Sequence, residues 1–371
     1  MNRYARISAI SGLDRDFIKN IKVLVIGAGA VGNELIKNLV LFGIKQIHIA
    51  DFDKIEIHNL TRSVLFRESD IGAFKSEVAA KRASQLSDDT QINFSTKDFW
   101  DTFSFDDIKN YDAIICAVDN HEARINANTL ANINDILFIN TAIDHQSTVV
   151  EVFPFNNNSE CSCYECVLPE GVYKRISDRY SCGWLRKMAS KENIIPTTVV
   201  TAGIVAANAC TALFDCLNND NVKDSYRIFF DTKNYLSHGK INLPLSPSCI
   251  SRSHIIKKFD RLKIKNLGNF DIKSFCKNKS EITLIFSDPI LLYTLDKNKR
   301  KEIYFKRSKD FDESILLDNG IITKHAEIND LIDFDEYLQD YSNLKIPCKF
   351  FTIESGNNNV SLLLENEVNH G

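Results

Sequence analysis

The sequence predicts an α/β protein, a doubly wound and mainly parallel sheet followed by a small α+β domain. Three observations carry this reading. Residues 23–43 (VLVIGAGAVGNELIKNLVLFG) join a short apolar run to a helical pattern through closely spaced glycines. Downstream, short apolar runs alternate with helical stretches as far as residue 217, and beyond His254 the composition shifts and further short strands follow. Such alternation is the pattern of parallel strands joined by helices, with ligands expected at the carboxyl ends of the strands.

Residues 23–26 (VLVI) are the continuous apolar run of a strand buried on both faces. Leu35, Leu39 and Phe42, at spacings of four and three, line one face of the helix that follows, which Gly43 ends in a left-handed conformation. Gly27, Gly29 and Gly32 form the turn between strand and helix. That arrangement is an anion site, because unpaired backbone N–H groups point at an arriving phosphate. The turn alone does not choose among NAD, FAD and ATP. Residues 46–51 (QIHIAD) read as a second strand ending in an acid, 69–86 as a helix, and 112–119 (DAIICAVD) as a third buried strand. Residues 137–143 (LFINTAI) and 148–155 (TVVEVFPF) read as two more strands, and 198–217, small and apolar on most sides, as a buried helix on the sheet. The first domain then spans 1–254 and the second 255–371. In this last part 252–265 is basic, 310–341 is mostly acidic, and ITLIF, EIYF, CKFFTI and VSLLL read as short strands before a frayed end at 365–371.

With 371 residues, 44% of them hydrophobic and 25% charged, and a net charge of −4, the chain has the composition of a soluble globular protein. The charge gives no reason to expect nucleic acid or an anionic membrane as main partner. The opening MNRYARISAISGL has no basic region leading into an apolar core, and no later run is expected to reach the roughly 18 apolar residues of a spanning helix, so a cytoplasmic location is expected. In that reducing setting the ten cysteines point to metal binding or thiol chemistry.

Asp51 lies roughly 20 residues past the turn, where a dinucleotide dehydrogenase holds a ribose hydroxyl, and it suits the ribose of ATP equally well. Residues 51–77 (DFDKIEIHNLTRSVLFRESDIGAFKSE) then supply Asn59, Arg62 and Lys75 beyond the second strand. Hydride transfer has no use for three phosphate-directed groups. Attack of a carboxylate on the α-phosphate of ATP does, since negative charge on a triphosphate must be neutralised while a second anion approaches. Asp119 is placed to hold Mg²⁺, which binds through one or two carboxylates plus substrate phosphates.

The series GAGAVG, DFD, HNLTRSVLF, IGAFK and AVDN, in this order and spacing, resembles the adenylation domain of the ubiquitin-activating-enzyme-like adenylyltransferases. That group includes the ThiF, MoeB and HesA types and the microcin C adenylyltransferase, and the resemblance covers about residues 1–254. It implies a Rossmann-like sheet that binds ATP, with Asp51 on the ribose and Asp53 among the nucleotide contacts. It further implies Asn59, Arg62 and Lys75 on the phosphates and Asp119 carrying Mg²⁺. In homodimeric members an N-terminal arginine crosses into the partner's site, and within RYAR the matching position is Arg6. Two departures stand out. His58-Asn59 replaces the usual Ser-Asn, and Arg62-Ser63 the usual Arg-Gln, which puts the outer contacts of the site in question.

Cys163-Tyr164-Glu165-Cys166 is a C-x₂-C knuckle of the kind that presents two thiolates to Zn²⁺, which needs two further ligands. The family supplies a second such pair near the end of the domain. There this chain reads SPSCISRSH, with Arg252 where the second cysteine would stand, so Cys249 and His254 are the implied partners in a Cys₃His site and Cys161 is a substitute ligand. Cys182 matches a Ser-Cys pair of sulfur-carrier activators whose thiol can act after the adenylate. A thiolate accepts acyl groups well, and Arg179, Arg186 and Lys187 would lower its pKa if they face it. Cys116, Cys210 and Cys216 read as core, and His48 and His121 as ordinary polar residues.

The resemblance implies an ATP-dependent enzyme that adenylates the C-terminal carboxylate of a ubiquitin-like or sulfur-carrier protein, with the acyl group passing to a thiol and with a homodimer and a transfer protein as partners. A short ribosomal peptide is an alternative substrate. An inactive binding subunit of a heterodimeric activator would require loss of Arg62, Lys75 or Asp119, all of which are present.

Overall fold

A computed structural model of the chain describes residues 3–10, 14–143, 146–169, 197–233 and 237–247, single positions at 172, 249, 251, 253, 254 and 257, and six strands within 260–364. The chain divides into two compact units, Met1–Pro169 with Asn193–Ser253, and the remainder.

In the first unit, strands β1 (Lys22–Ile26), β2 (Gln46–Ala50), β3 (Gln91–Ser95), β4 (Ala113–Cys116), β5 (Leu137–Ile143), β6 (Ser147–Phe153), β7 (Tyr226–Asp231) and β8 (His238–Asn242) form one sheet in the order β3-β2-β1-β4-β5-β6-β7-β8. From β3 across to β5 every pairing is parallel, and β5 to β8 pair antiparallel. The chain leaves β1 toward β2 and β3 on one side and returns to β4 on the other. The turn after β1 therefore sits at the point where the strand order reverses, the place where doubly wound sheets take their ligands.

The apolar runs occupy the buried strands as expected. Val23, Leu24 and Val25 of β1 and all four residues of β4 are fully buried. The strand expected over 112–119 is shorter than the sequence suggests, ending at Cys116, so Asp119 stands three residues beyond it. Among the described residues β3, β7 and β8 are strands that apolar runs did not announce.

Helix α1 (Arg15–Ile18) is a single turn; α2 (Ala30–Phe42) begins at Gly29 and ends at Gly43, whose φ of 71° and ψ of 46° are the left-handed termination expected from the sequence. Leu35 and Leu39 are fully buried, and Phe42 packs its ring 4.6 Å from that of Phe214. The helix expected over 69–86 splits. A 3₁₀ turn at Glu68–Asp70 comes first, Gly72 follows with φ 89°, and α3 starts only at Lys75 and runs to Ser84. The short helices α4 (Phe99–Thr102) and α5 (Phe105–Ile108) lead into β4, and α6 (His121–Ile133) leads out of it.

Helix α7 (Val199–Asn218) corrects one expectation. Its 20 residues are long and apolar enough, by length and composition, to cross a membrane. It packs on α2 and on β5 and β6, and Ala202, Val205, Ala206, Ala209 and Leu213 are fully buried. An all-round apolar helix is what a core position of this kind requires, and its alanines let neighbouring backbones approach closely. The Thr198 hydroxyl accepts the Thr201 N–H at its start.

In the second unit, β9 (Asp260–Ile264), β10 (Thr283–Phe286), β11 (Leu291–Leu295), β12 (Lys301–Ile303), β13 (Phe350–Ser355) and β14 (Asn358–Leu364) form a sheet in the order β12-β11-β10-β13-β14-β9. Among the described residues of this unit only the β14–β9 pairing is parallel. The four motifs read as strands all contribute. The helical part of the expected α+β domain, the acidic stretch and residues 365–371 lie outside the described residues.

Candidate nucleotide site and thiol cluster

The glycine turn has no room for side chains at two of its positions. Gly27 has φ 96°, and a Cβ there would stand 2.5 Å from the Ala117 carbonyl oxygen; a Cβ on Gly32 would stand 2.0 Å from the Gly27 oxygen. These contacts let β1, β4 and α2 close together. Gly29 differs, because a Cβ there would meet nothing within 4 Å. It caps α2 with no side-chain hydrogen bond, so no side chain of the cap covers the first turn of the helix, where an anion would bind.

Asn33, fully buried and not singled out from the sequence, braces the turn. Its Nδ2 donates to the Ala28 and Gly29 carbonyls at 2.7 and 3.0 Å, and its Oδ1 accepts the Leu65 N–H at 2.9 Å. The turn is thereby tied to the loop that carries Asn59 and Arg62.

Asp51, immediately after β2, accepts the Ala28 N–H at 2.6 Å on one carboxylate oxygen and the Asp53 N–H at 2.8 Å on the other. Burial raises its pKa above the ordinary carboxylate value, against the Ala28 N–H and the charge of Lys75, which lower it. Asp53 in turn pairs with Lys75, Oδ2 to Nζ 2.9 Å, and the Lys75 N–H donates to the Asp53 carbonyl at 2.8 Å. The Ser76 hydroxyl donates to the Asp51 carbonyl at 2.7 Å. The structure thus brings the turn, Asp51, Asp53 and Lys75 into one bonded set.

Asn59 is buried in a 3₁₀ turn at Ile57–Asn59, its Oδ1 accepting the Glu56 N–H at 2.9 Å. Arg62 is half-buried and donates from Nη1 to the His58 carbonyl at 2.8 Å. Asp119 is exposed, with no hydrogen-bond or ion-pair partner among the described residues. Its turn adjoins the glycines, because the Ala117 N–H donates to the Ile26 carbonyl at 2.7 Å and the Ala117 oxygen faces Gly27.

Arg6 stands elsewhere. It is exposed, two residues from Tyr4, whose hydroxyl donates to Asp89 at 2.7 Å and whose ring lies against Gly43 and under the Arg15 guanidinium. Gly43 and Gly29 close opposite ends of α2, about 20 Å apart at the helical rise per residue. The structure does not bring Arg6 to the glycine turn of its own chain.

A second constellation gathers Cys163, Cys166, Cys249 and His254, whose ligand atoms all lie within 4.8 Å of one another. The Cys163 sulfur is 3.7 Å from that of Cys166 and 3.8 Å from that of Cys249, well beyond a disulfide bond. Burial pushes the Cys163 thiol well above its ordinary pKa, and the neighbouring thiols add to the shift. Cys161 is buried and stands outside this group. Cys182, Arg179, Arg186, Lys187 and Arg252 lie outside the described residues. Cys116, Cys210 and Cys216 are core, as expected.

Sequence reasoning missed a buried polar chain beneath the site. The Arg124 guanidinium donates to the Asn140 side chain and the Thr141 carbonyl, both at 2.7 Å, and also to the Val118 carbonyl. Asn140 donates to Glu151 at 2.7 Å, and Arg227 closes the chain on the same carboxylate through Nε at 3.0 Å. The signal was present as Asn140 inside LFINTAI and Glu151 inside TVVEVFPF, polar residues that a buried strand tolerates only when they are paired.

The profile of the ThiF family matches residues 1–248. SUMO-activating enzyme subunit 2 of Dictyostelium discoideum is 34% identical over 166 residues, which are 44% of this chain and 25% of that protein. Ubiquitin-like modifier-activating enzyme 5 of Drosophila virilis is 28% identical over 240 residues, 60% of this chain and 58% of that protein. The chain therefore spans between a quarter and somewhat over half the length of these curated relatives. The crystal structure of E. coli MccB with ATP matches with a TM-score of 0.53 at 23% identity, covering 68% of this chain and 74% of MccB. The structure of the microcin C7 biosynthetic enzyme MccB in complex with N-formylated MccA gives the same score and identity over 67% and 74%. At this identity the likeness establishes the shared fold.

Proposed function

The chain belongs to the ThiF family, and from that premise we propose that it is an ATP-dependent activating enzyme that adenylates the C-terminal carboxylate of a ubiquitin-like or sulfur-carrier protein and releases pyrophosphate. The observation that carries this reading is the bonded set at the carboxyl ends of β1 and β2, with Ala28 on Asp51 at 2.6 Å and Asp53 on Lys75 at 2.9 Å. It gathers Asp51 and Lys75 around one glycine turn, which supports reading the acid as the ribose ligand and the lysine as a phosphate ligand.

In this reading the open backbone at Gly29 receives phosphate, and Asp51 takes ribose hydroxyls on the lone pairs its two N–H partners leave free. Lys75, Arg62 and the Asn59 amide meet the β- and γ-phosphates. An oxygen of the incoming carboxylate bonds to the α-phosphorus while the bond from that phosphorus to the bridging oxygen breaks. The electron pair departs on pyrophosphate, whose charge the two cations neutralise. Lys75 must first exchange Asp53 for phosphate; such a partly exposed ion pair holds weakly enough to allow it.

Asp119, exposed and unpartnered among the described residues, fits Mg²⁺ held by one carboxylate together with phosphate oxygens. When bound, that ion would shield the triphosphate charge. The thiol cluster fits a structural zinc. Three sulfurs and an imidazole are its preferred donor set, and separations of 3.7 and 3.8 Å match the edge of about 3.8 Å for a tetrahedron with metal–sulfur bonds of about 2.3 Å. Zinc there would cross-link the knuckle to the segment carrying Cys249.

The placement of Arg6 supports a homodimer in which it serves the neighbouring copy's phosphates. The Cys182 thiolate would then attack the acyl carbon of the adenylate and release AMP. Pyrophosphate exchange tests the reading. Label should enter ATP only when a partner with a free C-terminal glycine is present, and a panel holding ubiquitin-like proteins, sulfur carriers and short peptides identifies the substrate class. Absence of exchange with every partner would remove the proposed activity.

A further inference from the structure

Helix α6 carries a polar stripe on a buried face. Arg124, Asn128 and Asn132 stand one turn apart, with 8%, 0% and 0% of their surfaces exposed. A helix face packed into a core is normally apolar, and each polar group there costs free energy unless it is bonded. The partners of these three residues belong to two different constellations.

Arg124 holds the turn before Asp119. Its guanidinium grips the Val118 carbonyl from one nitrogen and the Asn140 side chain and Thr141 carbonyl from another, so the residue preceding the acid is fixed to β5. Thr141 adds a bond from its hydroxyl to the Cys116 carbonyl at 2.9 Å. Asn128 holds the thiol knuckle, its Oδ1 accepting the N–H of Tyr164, the residue after Cys163, at 3.0 Å. The Tyr164 hydroxyl reaches back to Nδ1 of His121 at 2.8 Å, at the first residue of the same helix and two beyond Asp119. Asn132 holds the other thiol segment. Its Nδ2 donates to the Ser253 hydroxyl at 2.8 Å, and Ser253 bonds Ser251 at 2.8 Å, two residues after Cys249.

Asn128 Nδ2 and Asn132 Oδ1 are buried with no hydrogen-bond partner among the described residues. They are a donor and an acceptor on residues one turn apart. One helix thus carries the bonds that reach from the Asp119 turn to Ser253.

We propose that Arg124, Asn128 and Asn132 are positioning residues that hold the thiol cluster and the Asp119 turn in one register, so that a cluster without its metal leaves the acid misplaced for Mg²⁺. The inference rests on the proposed reading for the roles of Asp119 and the cluster, and on the hydrogen bonds above for the connection between them. It makes the metal more than a remote staple, because its effect should reach nucleotide binding through one helix.

The experiment uses the full chain and three readouts: zinc loss to a chromogenic chelator, ATP binding with and without Mg²⁺, and thermal unfolding. Asn128→Ala and Asn132→Ala should each release zinc about tenfold faster, the usual scale for removing a group that orients metal ligands. They should raise the Mg²⁺ concentration needed for ATP binding by about tenfold as well, while Mg²⁺-free ATP binding at the glycine turn stays unchanged. Arg124→Lys keeps the charge but loses the fork, and should shift the Mg²⁺ requirement without speeding zinc loss. If the alanine variants do not fold, Tyr164→Phe removes only the hydroxyl on His121 and should give the same shift at smaller amplitude. Zinc retention and Mg²⁺ dependence equal to wild type would overturn the inference. So would a loss of ATP affinity that is the same with and without Mg²⁺, or a wild-type cluster that takes up no metal. Mg²⁺-dependent ATP binding without pyrophosphate exchange would sink the proposed activity and leave this inference standing, so the two failures are distinguishable.

Discussion

Nζ of Lys75 stands 2.9 Å from Oδ2 of Asp53, with the lysine side chain 13% exposed and the aspartate 57% exposed. The lysine is therefore sheltered and the acid is open to water, so an arriving phosphate can displace the carboxylate without moving the cation. Lys75→Ala should lower pyrophosphate exchange by roughly 10²- to 10³-fold, the scale for removing one donor to a developing charge. Unfolding should shift by less than about 1 kcal/mol, since a pair with one partner open to water contributes little. A variant with near-normal exchange would place Lys75 outside the site.

Gly29 and Gly32 should separate binding from folding. A Cβ at Gly32 would lie 2.0 Å from a backbone oxygen, whereas one at Gly29 would meet nothing within 4 Å. Gly32→Ala is expected to cost several kcal/mol of stability through backbone displacement, a larger effect than ordinary point changes of about 1 kcal/mol. Gly29→Ala should unfold like wild type in denaturant yet bind ATP more weakly, because the methyl group would occupy the space left for phosphate. Equal ATP affinity in Gly29→Ala would argue against phosphate at this turn.

His48 predicts an acid limb in stability. On β2 it bonds the Tyr111 hydroxyl at 3.0 Å, its ring makes an edge-to-face contact with Phe103 at 4.8 Å, and its Nε2 is buried without a partner among the described residues. Burial pushes its pKa down to about 4 from 6.5. The folded state thus keeps the ring neutral while the unfolded state takes up a proton below pH 6.5. This contribution is fully present above that pH and is lost as pH falls toward 4. Wild type should lose about 2 kcal/mol from this group between pH 7 and pH 5. His48→Leu should lose correspondingly less over the same interval in chemical denaturation, and equal losses would contradict the assignment.

Arg6 and Asp119 should complement in trans. Tyr4 anchors the N-terminal segment at the Gly43 end of α2, away from the Gly29 end. Mixed Arg6→Ala and Asp119→Ala chains should form one site with both residues intact and recover about a quarter of wild-type exchange under random pairing of a twofold dimer. No recovery in a verified heterodimer would mean that Arg6 acts within its own chain or not at all.

The local arrangement of the glycine turn and the acid beside it was legible because these residues flank periodic elements. The run before Gly27, the helix from Ala30 and the acid after Ala50 each declare themselves locally. The edge strand β3 did not, since QINFS has no apolar run and leaves Gln91 and Phe94 exposed. β8 is exposed along most of its length and gave no signal for the same reason. The helix expected from residue 69 failed at Gly72, whose positive φ interrupts the apolar periodicity. Arg124, Asn128 and Asn132 drew no attention in the sequence. Their burial depends on partners at 118, 164 and 253, and spacing along the chain carries no information about contacts so distant.

The central claim is attack of a carboxylate on the α-phosphate at this site, and oxygen transfer tests it most directly. A substrate protein whose C-terminal carboxylate is labelled with ¹⁸O is incubated with ATP and a thiol acceptor, and the products are weighed by mass spectrometry. The account expects one labelled oxygen in AMP, because the acyl–oxygen bond breaks when the thiol takes the acyl group. Label in inorganic phosphate with formation of ADP, or AMP released without label, would contradict it.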